Sequence, residues 1–261
     1  MAMPAVSDLN PAKSQPEEVT WESLIPPEQW SLYSCVLSHI CDAGIPFALG
    51  GGLALGYYTG ELHRSKDLDI YISPPNRDRV VEIITNCGLD DYFETQPYDQ
   101  GWIYRGHRDG VIIDIIWAMA NRRTTVDNVW TTTGPSVHLC GQTFRVIPPE
   151  ELLWSKLYVL QRDRCDWPDL FNLLAAVGPG MNWQHLSCRA AEDRPLLKSL
   201  LTVFAWVAPE RAMQIPRRVW RSFDLVQPIP VADPSGRPSR RDLLDTRPWL
   251  NTSQPGASRA A

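Results

Sequence analysis

Apolar residues recur at helical spacing early in the chain, within residues 27–43. A Pro-Pro pair stands at the start of this stretch, and prolines suit the first turn of a helix. The apolar positions on one helix face are Trp30, Tyr33, Val36, Leu37 and Ile40. We therefore expect an amphipathic helix here, after a disordered leader over 1–24 in which polar residues and prolines dominate.

Short apolar runs then alternate with helical patterns, and Gly-containing turns separate them. The order strand, helix, strand, helix is followed by two hairpins, the first with an Asp-Gly turn. The predicted elements are strands over 45–51 and 67–72, helices over 53–60 and 76–88, and hairpins that turn at 108–110 and 140–142. The pattern predicts an α+β protein whose mixed sheet is flanked by helices.

The pattern becomes wholly helical after Pro148 and suits a bundle. The predicted helices cover 149–163, 167–178, 182–193 and 195–207. The sequence beyond residue 223 is rich in Pro, Ser and Arg, which predicts a disordered tail. The expected organisation is an α+β domain over 25–148, a helical C-terminal region over 149–223 and a tail over 224–261.

The composition limits the class of protein. The 261 residues are 44% hydrophobic and 21% charged, which is typical of a soluble globular protein. No apolar run approaches the roughly 18 residues that a membrane helix needs, and the N-terminus has no secretory signal pattern. We expect a cytoplasmic protein with no membrane partner.

The cysteines and histidines do not suggest a metal site in the sequence. Six cysteines are scattered without a CxxC pair, which argues against a disulfide framework and a zinc ribbon. We expect free thiols, most of them buried. The five histidines show no HxxxH or Cys-His pairing, which argues against a zinc hydrolase.

Three consecutive glycines, residues 50–52, stand at the predicted turn from the first strand to its helix. Glycine lets the backbone approach a ligand closely, and the N-terminus of a helix presents free N–H groups to an anion. These features suit the phosphates of a nucleotide. A tight turn that needs glycine only for packing is the alternative.

Two aspartates in the next strand point toward the same side. Side chains alternate along a strand, so Asp67, Asp69 and Tyr71 share one face, while the residues between them face the core. Adjacent carboxylates repel unless a cation lies between them, and their hard oxygens suit Mg²⁺. A solvated, acidic strand edge is the alternative, although acidic residues are disfavoured in strands.

A third carboxylate, Asp114, interrupts an otherwise apolar strand. An unpaired charge buried there would cost several kcal/mol, so a compensating group is required. If this strand lies beside residues 67–72, the three aspartates can converge on one or two metal ions. An ion pair with an arginine such as Arg64 or Arg105 would also compensate the charge.

Phosphates at a glycine turn and Mg²⁺ on three carboxylates together describe in-line phosphoryl or nucleotidyl transfer. One metal ion would activate the attacking hydroxyl, and the other would neutralise charge on the departing pyrophosphate. The expected cofactor is therefore two Mg²⁺ ions, with Mn²⁺ as a substitute, and the expected substrate is an NTP.

The pair Gly51-Gly52, the pair Asp67 and Asp69, and the later Asp114 resemble the nucleotidyltransferase superfamily with the DNA polymerase beta type of fold. The form of the motif is similar to small bacterial branches, among them AbiEii-type toxins and the aminoglycoside and lincosamide nucleotidyltransferases. The resemblance covers roughly residues 30 to 175 and implies a nucleotidyltransferase fold with a helical C-terminal region.

The resemblance also implies roles for particular residues. Asp67, Asp69 and Asp114 would be catalytic and would bind the metal, and the third would assist deprotonation of the acceptor. The residues implied to bind the nucleotide are Gly51, Gly52, Arg64, Ser65, Lys156 and Asp166. A solvent-facing helix lysine is the alternative for Lys156. The chain departs from the family at Leu53, where many members have Ser or Thr, and at Cys165, where Arg is frequent.

The leading hypothesis is an enzyme that moves a nucleoside monophosphate from an NTP to a hydroxyl acceptor and releases pyrophosphate. The acceptor stays open between RNA, protein and a small molecule. Arg outnumbers Asp from Arg211 onward, which slightly favours RNA, although a solvated tail has the same composition. The alternative is a non-catalytic nucleotide-binding or toxin-antitoxin interaction protein of the same fold. The sequence does not indicate the oligomeric state.

Overall fold

The structure is a computed structural model that describes residues 25–61, 67–229 and 240. The predicted disordered leader lies outside the described residues, as does the predicted tail except for residues 224–229 and 240. Arg64 and Ser65, two residues expected at the nucleotide, also lie outside them. No helix within the described ranges is long and apolar enough to cross a membrane.

The main sheet has five strands and mixed direction. Its strands are β1 (Phe47–Leu49), β2 (Asp67–Ile72), β3 (Asp90–Asp91), β4 (Ile103–Arg108) and β5 (Val111–Ile116), in the spatial order β1-β2-β5-β4-β3. The β2 and β5 strands are parallel, and every other neighbouring pair in this sheet is antiparallel. The predicted mixed sheet, with antiparallel strands after the first crossover, is confirmed.

The register of the sheet places charged residues beside one another. Asp69 of β2 lies opposite Asp114 of β5, and Arg105 of β4 lies opposite the same aspartate on its other side. The β4–β5 hairpin turns at Asp109 and Gly110, which both have positive φ (51° and 80°). Positive φ at both turn residues is the geometry of a tight two-residue hairpin turn.

Helices cover the sheet and form the C-terminal region. The first five are α1 (Pro27–Asp42), α2 (Gly51–Thr59), α3 (Arg77–Asn86), α4 (Asn128–Thr132) and α5 (Pro149–Leu157). The others are α6 (Trp167–Val177), α7 (Trp183–Ala190), α8 (Arg194–Val207), α9 (Pro209–Ala212) and α10 (Arg217–Ser222). All the predicted helices are present, although the one expected over 149–163 ends at Leu157, and α4, α9 and α10 were not predicted.

The predicted amphipathic face of α1 is close to the observed one. Tyr33, Val36, Leu37 and Ile40 are buried as predicted, whereas Leu32 is buried and Trp30 is only partly buried. The helix is therefore rotated slightly from the predicted face.

One continuous hydrophobic core joins the sheet to the helices. The α2 helix packs on β2 and also against α5 and α6. The second predicted hairpin, β6 (Ser136–Leu139) with β7 (Gln142–Arg145), forms a separate two-stranded sheet. Since α2 touches both the sheet and the C-terminal helices, residues from both parts of the chain face the same cleft.

The cysteines differ from the prediction. All six are free thiols, as expected, but only Cys87 is buried. Cys41, Cys165 and Cys188 are exposed, and the other two are half-buried. The expectation that most are buried was wrong, because each exposed thiol lies on the solvent side of a helix or in a loop.

Candidate active site

A cleft of about 630 Å³ opens between the sheet and the C-terminal helices. The start of α2, the β2 and β5 strands, α5 and the segment before α6 all contribute to its walls. Seven predicted site residues line it together with the charged neighbour Arg164. The seven are Gly51, Gly52, Asp67, Asp69, Asp114, Lys156 and Asp166. The structure therefore brings together every predicted site residue that lies within the described ranges.

Asp69 occupies the most crowded position among the carboxylates. It lies between Asp67 on its own strand and Asp114 on the neighbouring strand. Burial, followed by the charges of Asp114 and Asp67, raises the pKa of Asp69 to about 7, although Lys156 and Arg105 act in the opposite direction. Burial and the two neighbouring carboxylates outweigh these cations, and a carboxylate in this environment is suited to bind a further cation.

Asp114 is buried and already has a cationic partner. Arg105 Nε donates to Asp114 Oδ1 at 2.7 Å, and Arg105 NH2 donates to Asp114 Oδ2 at 2.6 Å. The Asp114 side chain is 3% exposed, so this bidentate ion pair satisfies a charge that would otherwise be costly. Of the two ways to compensate Asp114 that the sequence left open, the structure shows the ion pair with Arg105.

The aspartates do not form a compact ligand set in this structure. In the described part of the chain, one group of at least three His, Cys, Asp or Glu side chains has all its ligand atoms within 4.8 Å of one another. That group is Cys35, His39 and Cys87, which lie away from the cleft. Asp67 and Asp69 nevertheless fit a hard divalent cation, because their oxygens face the cleft and Asp69 is crowded by negative charge.

The glycine turn packs directly against the strand that carries the carboxylates. Gly51 has φ +54°, and a Cβ placed on it would overlap Oδ2 of Asp69. The Gly50 N–H donates to the Asp69 carbonyl at 2.9 Å, and a Cβ on Gly50 would overlap the Tyr71 ring. Glycine is thus required for packing, which was the alternative interpretation, and the same packing puts the turn beside the carboxylates.

The N-terminus of α2 also meets the requirements for an anion site. No side chain caps this nine-residue helix, and its first turn contains no acidic residue. The first N–H groups of a helix have no partner within the helix and carry a partial positive charge. Gly51 and Gly52 line the cleft, so these N–H groups lie at its wall.

Lys156 lies in the wall of the cleft with its side chain 14% exposed, rather than facing solvent. Its Nζ lies 2.7 Å from Asp166 Oδ2 and 2.8 Å from Asp169 Oδ2. Burial alone would lower the pKa of Lys156, but the two aspartates outweigh it and hold the pKa above its ordinary value. The lysine is therefore charged, and the solvent-facing alternative was wrong.

Asp166 is the centre of a small ion-pair network. Arg164 donates to both of its oxygens, at 2.9 and 3.0 Å, in addition to the contact from Lys156. Burial would raise the pKa of Asp166, but Arg164 and Lys156 hold it below its ordinary value. Asp166 thus orients the lysine, and Arg164 supplies a guanidinium although Cys165 stands where the family often has Arg.

Leu53, the other departure from the family pattern, is buried in the core. The side chain that many members place beside the phosphates is thus replaced by a packing residue. The contacts to phosphate that α2 can offer come from its backbone.

Three residues of the site were not predicted from the sequence. Arg164 donates to Asp166, and Asp169 accepts a hydrogen bond from Lys156. Tyr71 stacks on Trp130 with ring centroids 5.4 Å apart. A sequence signal did exist for Tyr71, which shares the strand face of the two aspartates. The contacts of Arg164 and Asp169 with Lys156 and Asp166 depend on how α5 and α6 pack, which residue spacing does not reveal.

The fold and the cleft define a class of enzyme, the nucleotidyltransferases. The family model described as "Uncharacterised nucleotidyltransferase" matches residues 33–208, which include every carboxylate of the cleft. The chain belongs to this family. A comparison with curated protein sequences finds no match.

Solved structures of similar fold include the antibiotic-resistance factor ANT(2″)-Ia, at 17% identity and TM-score 0.47, covering 66% of this chain and 95% of that one. The lincosamide antibiotic adenylyltransferase LnuA is 16% identical, with TM-score 0.40, and the match covers 57% of this chain and 94% of LnuA. An antigenic nucleotidyltransferase-like protein from Paracoccidioides brasiliensis is 19% identical, with TM-score 0.39 and coverage of 69% and 94%.

Proposed function

We propose that this protein transfers a nucleoside monophosphate from an NTP to a hydroxyl acceptor, in a Mg²⁺-dependent reaction that releases pyrophosphate. The observation that carries the proposal is the placement of Asp69 beside Asp114 in one cleft with the uncapped start of α2. An enzyme that handles a metal-bound triphosphate needs carboxylates for the cation and N–H groups for the phosphates.

Asp67 and Asp69 are the residues we expect to hold Mg²⁺. Both face the cleft, and the negative charge around Asp69 is the charge that a cation would compensate. When bound, one or two Mg²⁺ ions, or Mn²⁺ in their place, would activate the acceptor hydroxyl and offset charge on the departing pyrophosphate.

Asp114 completes the proposed site together with its ion-pair partner. The guanidinium of Arg105 holds both oxygens of this carboxylate and fixes its orientation toward Asp69. We assign to Asp114 the acceptance of the proton from the acceptor hydroxyl, because it is the remaining carboxylate of the sheet that lines the cleft.

The triphosphate has two contact surfaces in this proposal. The backbone N–H groups of Gly51 and Gly52 bind it at the start of α2, and the Lys156 ammonium, from α5, binds it in the same cleft. Asp166 and Asp169 hold the ammonium in place before the nucleotide arrives. Arg64 and Ser65 stay predicted contacts.

The acceptor, the base of the NTP and the cellular setting are not defined by the cleft. RNA, a protein hydroxyl and a small-molecule hydroxyl all stay candidates for the acceptor. A cytoplasmic location, ATP as the nucleotide and a role in a toxin-antitoxin pair also stay predictions.

One observation favours the second candidate function, a nucleotide-binding or toxin-antitoxin interaction protein without catalysis. Arg105 engages both oxygens of Asp114, so a metal ion or the proton of an acceptor would have to compete with this guanidinium for the carboxylate. If the ion pair persists with nucleotide bound, the chain would bind NTP through α2 and Lys156 without transferring it.

The experiment uses NTPs labelled at the α phosphorus, each with Mg²⁺ and a cell extract that is then separated into RNA, protein and small molecules. We expect label in one fraction with the wild-type protein and none with Asp67→Ala/Asp69→Ala. The control is Asp78→Ala, an aspartate whose side chain is 86% exposed on α3 outside the cleft, and it should transfer like the wild type.

Nucleotide binding is measured in parallel by equilibrium dialysis with the same NTPs. Binding without transfer in the wild-type protein would replace the enzymatic proposal by the binding-protein candidate. Transfer that persists in the double variant would show that the carboxylates of β2 are not the catalytic groups.

A further inference from the structure

Two cysteines and a histidine meet outside the cleft, between α1 and the end of α3. Cys35 and His39 are one helical turn apart on α1, and Cys87 caps the C-terminus of α3. The sulfur atoms of the cysteines are 2.9 Å apart, and His39 Nδ1 lies 3.8 Å from each of them. None of the three lines the cleft.

We propose that Cys35, His39 and Cys87 form a binding site for a thiophilic divalent cation of the Zn²⁺ class, separate from the site for Mg²⁺. The sequence argued against such a site, since no Cys-x-x-Cys pair is present. That expectation missed two features: Cys35 and His39 are four residues apart in a helix, and the third ligand comes from a distant helix.

The separations are close to those of a tetrahedral zinc site. With Zn–S bonds near 2.3 Å and Zn–N bonds near 2.0–2.1 Å, two sulfur ligands lie about 3.8 Å apart and a sulfur lies about 3.5 Å from the nitrogen. The two observed S–N separations of 3.8 Å nearly match this requirement. The sulfur atoms must move apart by about 1 Å, and Cys35 is the half-buried one of the two, so part of its surface borders solvent instead of the core.

The backbone around the ligands is already fixed. Arg108 of β4 donates to the Cys87 carbonyl at 2.8 Å, and the Cys87 N–H donates to two carbonyls in the last turn of α3. The ligand atoms are therefore held on regular elements, which favours a preorganised site.

Occupation of the site requires two local changes with a balanced proton count. His39 Nδ1 now lies 2.7 Å from the Cys35 carbonyl, so it must leave that contact and bind the cation as neutral imidazole. The two thiols bind as thiolates and release two protons to solvent. His39 is exposed, so a water molecule can take the fourth position, and the cation would tie α1 to the end of α3.

The test uses the full-length chain, stripped of metal with EDTA and kept reduced with TCEP, so that a disulfide cannot block the thiols. Zn²⁺ binding is measured in competition with a chromophoric indicator, and Co²⁺ is added separately to follow thiolate-to-cobalt charge-transfer bands. We expect one Zn²⁺ ion per chain and charge-transfer bands in the wild-type protein, neither of which excess Mg²⁺ removes.

The variants distinguish Zn²⁺ binding at this site from binding at another thiol or at the proposed Mg²⁺ ligands. Cys35→Ser and Cys87→Ser should lose the Co²⁺ charge-transfer intensity, and His39→Ala should bind Zn²⁺ at least about tenfold more weakly. Cys41→Ser, an exposed thiol on the same helix, should bind like the wild type. Asp67→Ala/Asp69→Ala should also bind Zn²⁺ like the wild type. The Zn²⁺ result would therefore stay the same even if the protein did not transfer nucleotides.

Circular dichroism of each variant in EDTA shows whether it folds, and Cys35→Ser is the decisive variant because its side chain is only half-buried. A folded Cys35→Ser protein that binds Zn²⁺ as tightly as the wild type would overturn the proposal. Absence of Zn²⁺ binding in the reduced wild-type protein would overturn it as well.

Discussion

Asp69 lies between two other carboxylates, and its pKa of about 7 is well above the ordinary value of 3.8. Burial is the largest cause, and the charges of Asp114 and Asp67 add to it. Between these two pKa values the folded protein therefore binds more protons than the unfolded chain, whose carboxylate is ionised. The free energy of unfolding contributed by Asp69 falls as the pH rises through this range, as long as no cation is bound.

The first prediction concerns Asp69→Asn in EDTA at pH 8. Because the amide carries no charge, we expect the variant to be more stable than the wild type by on the order of 2–4 kcal/mol. Urea unfolding measures the difference. The difference should shrink toward pH 5, where the wild-type carboxyl is protonated, and Mg²⁺ should stabilise the wild type more than the variant.

The control for this prediction is Asp78→Asn, an exposed position whose change should leave stability within about 0.5 kcal/mol. A variant Asp69→Asn that is no more stable than the wild type at pH 8 would show that Asp69 is not crowded by negative charge.

At the level of single residues, the sequence predicted the carboxylates and the glycines, and it left Arg64 and Arg105 open as partners of Asp114. The Arg105–Asp114 pair follows from the hairpin register, since a two-residue turn at Asp109 and Gly110 sets Arg105 opposite Asp114. That register could have been derived from the Asp-Gly signal, and it would have favoured the ion pair with Arg105. The contact of Lys156 with Asp169 could not be derived, because it requires α5 to pack against α6.

The start of α2 is the element that joins the proposed phosphate contacts to the carboxylates. Its Gly51 has a positive φ, and the space that a Cβ would need is taken by the Asp69 carboxylate. A substitution here therefore has two effects: backbone strain, and displacement of a proposed metal ligand. The two effects can be separated with a second glycine.

The second prediction compares Gly51→Ala with Gly110→Ala. Both glycines have positive φ, but a Cβ on Gly110 meets nothing within 4 Å. Both variants should lose about 1 kcal/mol of stability from backbone strain. Only Gly51→Ala should also lower kcat/KM for nucleotidyl transfer, by about 100-fold or more, because it moves Asp69. Steady-state kinetics and urea unfolding measure the two effects.

Equal kinetic losses in the two variants would mean that the overlap with Asp69 does not matter for the reaction. A loss of stability in Gly51→Ala without a loss of activity would also contradict the proposed role of the turn in the reaction.

Periodicity predicted most of the elements because their hydrophobic faces are regular. The β2 strand and the α8 helix alternate or repeat as expected and are found in place. The β3 strand has two residues, and α4 and α9 have five and four, so each is too short to show a period. Tertiary packing, rather than local pattern, decides such short elements.

At the scale of the whole molecule, a charge network around the buried Glu151 joins the two parts of the chain. Arg189 of α7 donates to both oxygens of Asp127 at the start of α4, at 2.7 and 2.9 Å, and to Glu151 of α5 at 3.1 Å. Glu151 has no exposed surface, and His185 contacts the same oxygen at 2.6 Å. The network thus fixes the helical region against the segment that follows the sheet.

The third prediction is that Arg189→Met destabilises the protein by about 3–5 kcal/mol, since it leaves Glu151 buried with its main cationic partner removed. Urea unfolding measures the loss. The matched control is Arg211→Met on α9, a position with no part in the network. A double variant, Arg189→Met/Glu151→Met, should recover a large part of the loss, because it removes the unpaired charge.

The fourth prediction is a pH dependence of the same network. Burial would raise the pKa of Asp127, but the hydrogen bonds and charge of Arg189 outweigh it and hold the pKa below its ordinary value. The stability that this pair contributes is therefore complete above the unfolded pKa and is lost as the pH falls through the folded pKa. The difference in stability between wild type and Arg189→Met should narrow below about pH 4, and an unchanged difference there would contradict this assignment.

The global arrangement was the part least accessible from sequence. The order of the strands and the meeting of Cys35 with Cys87 depend on contacts between distant segments, which have no local signature. The family motif compensated for this at the cleft, since its residues are recognisable one by one. The family motif gave no information about Cys35 and Cys87, which lie outside it.

Nucleotidyl transfer is distinguished from phosphoryl transfer by the fate of the two ends of one triphosphate. An NTP is labelled at the α phosphorus in one sample and at the γ phosphorus in another, and each is incubated with Mg²⁺, the acceptor fraction and either wild-type protein or Asp69→Asn. We predict that wild-type protein moves only the α label to the acceptor, that the γ label leaves in pyrophosphate, and that Asp69→Asn does neither. Appearance of the γ label in the acceptor, or equal transfer of the α label by Asp69→Asn, would contradict the account.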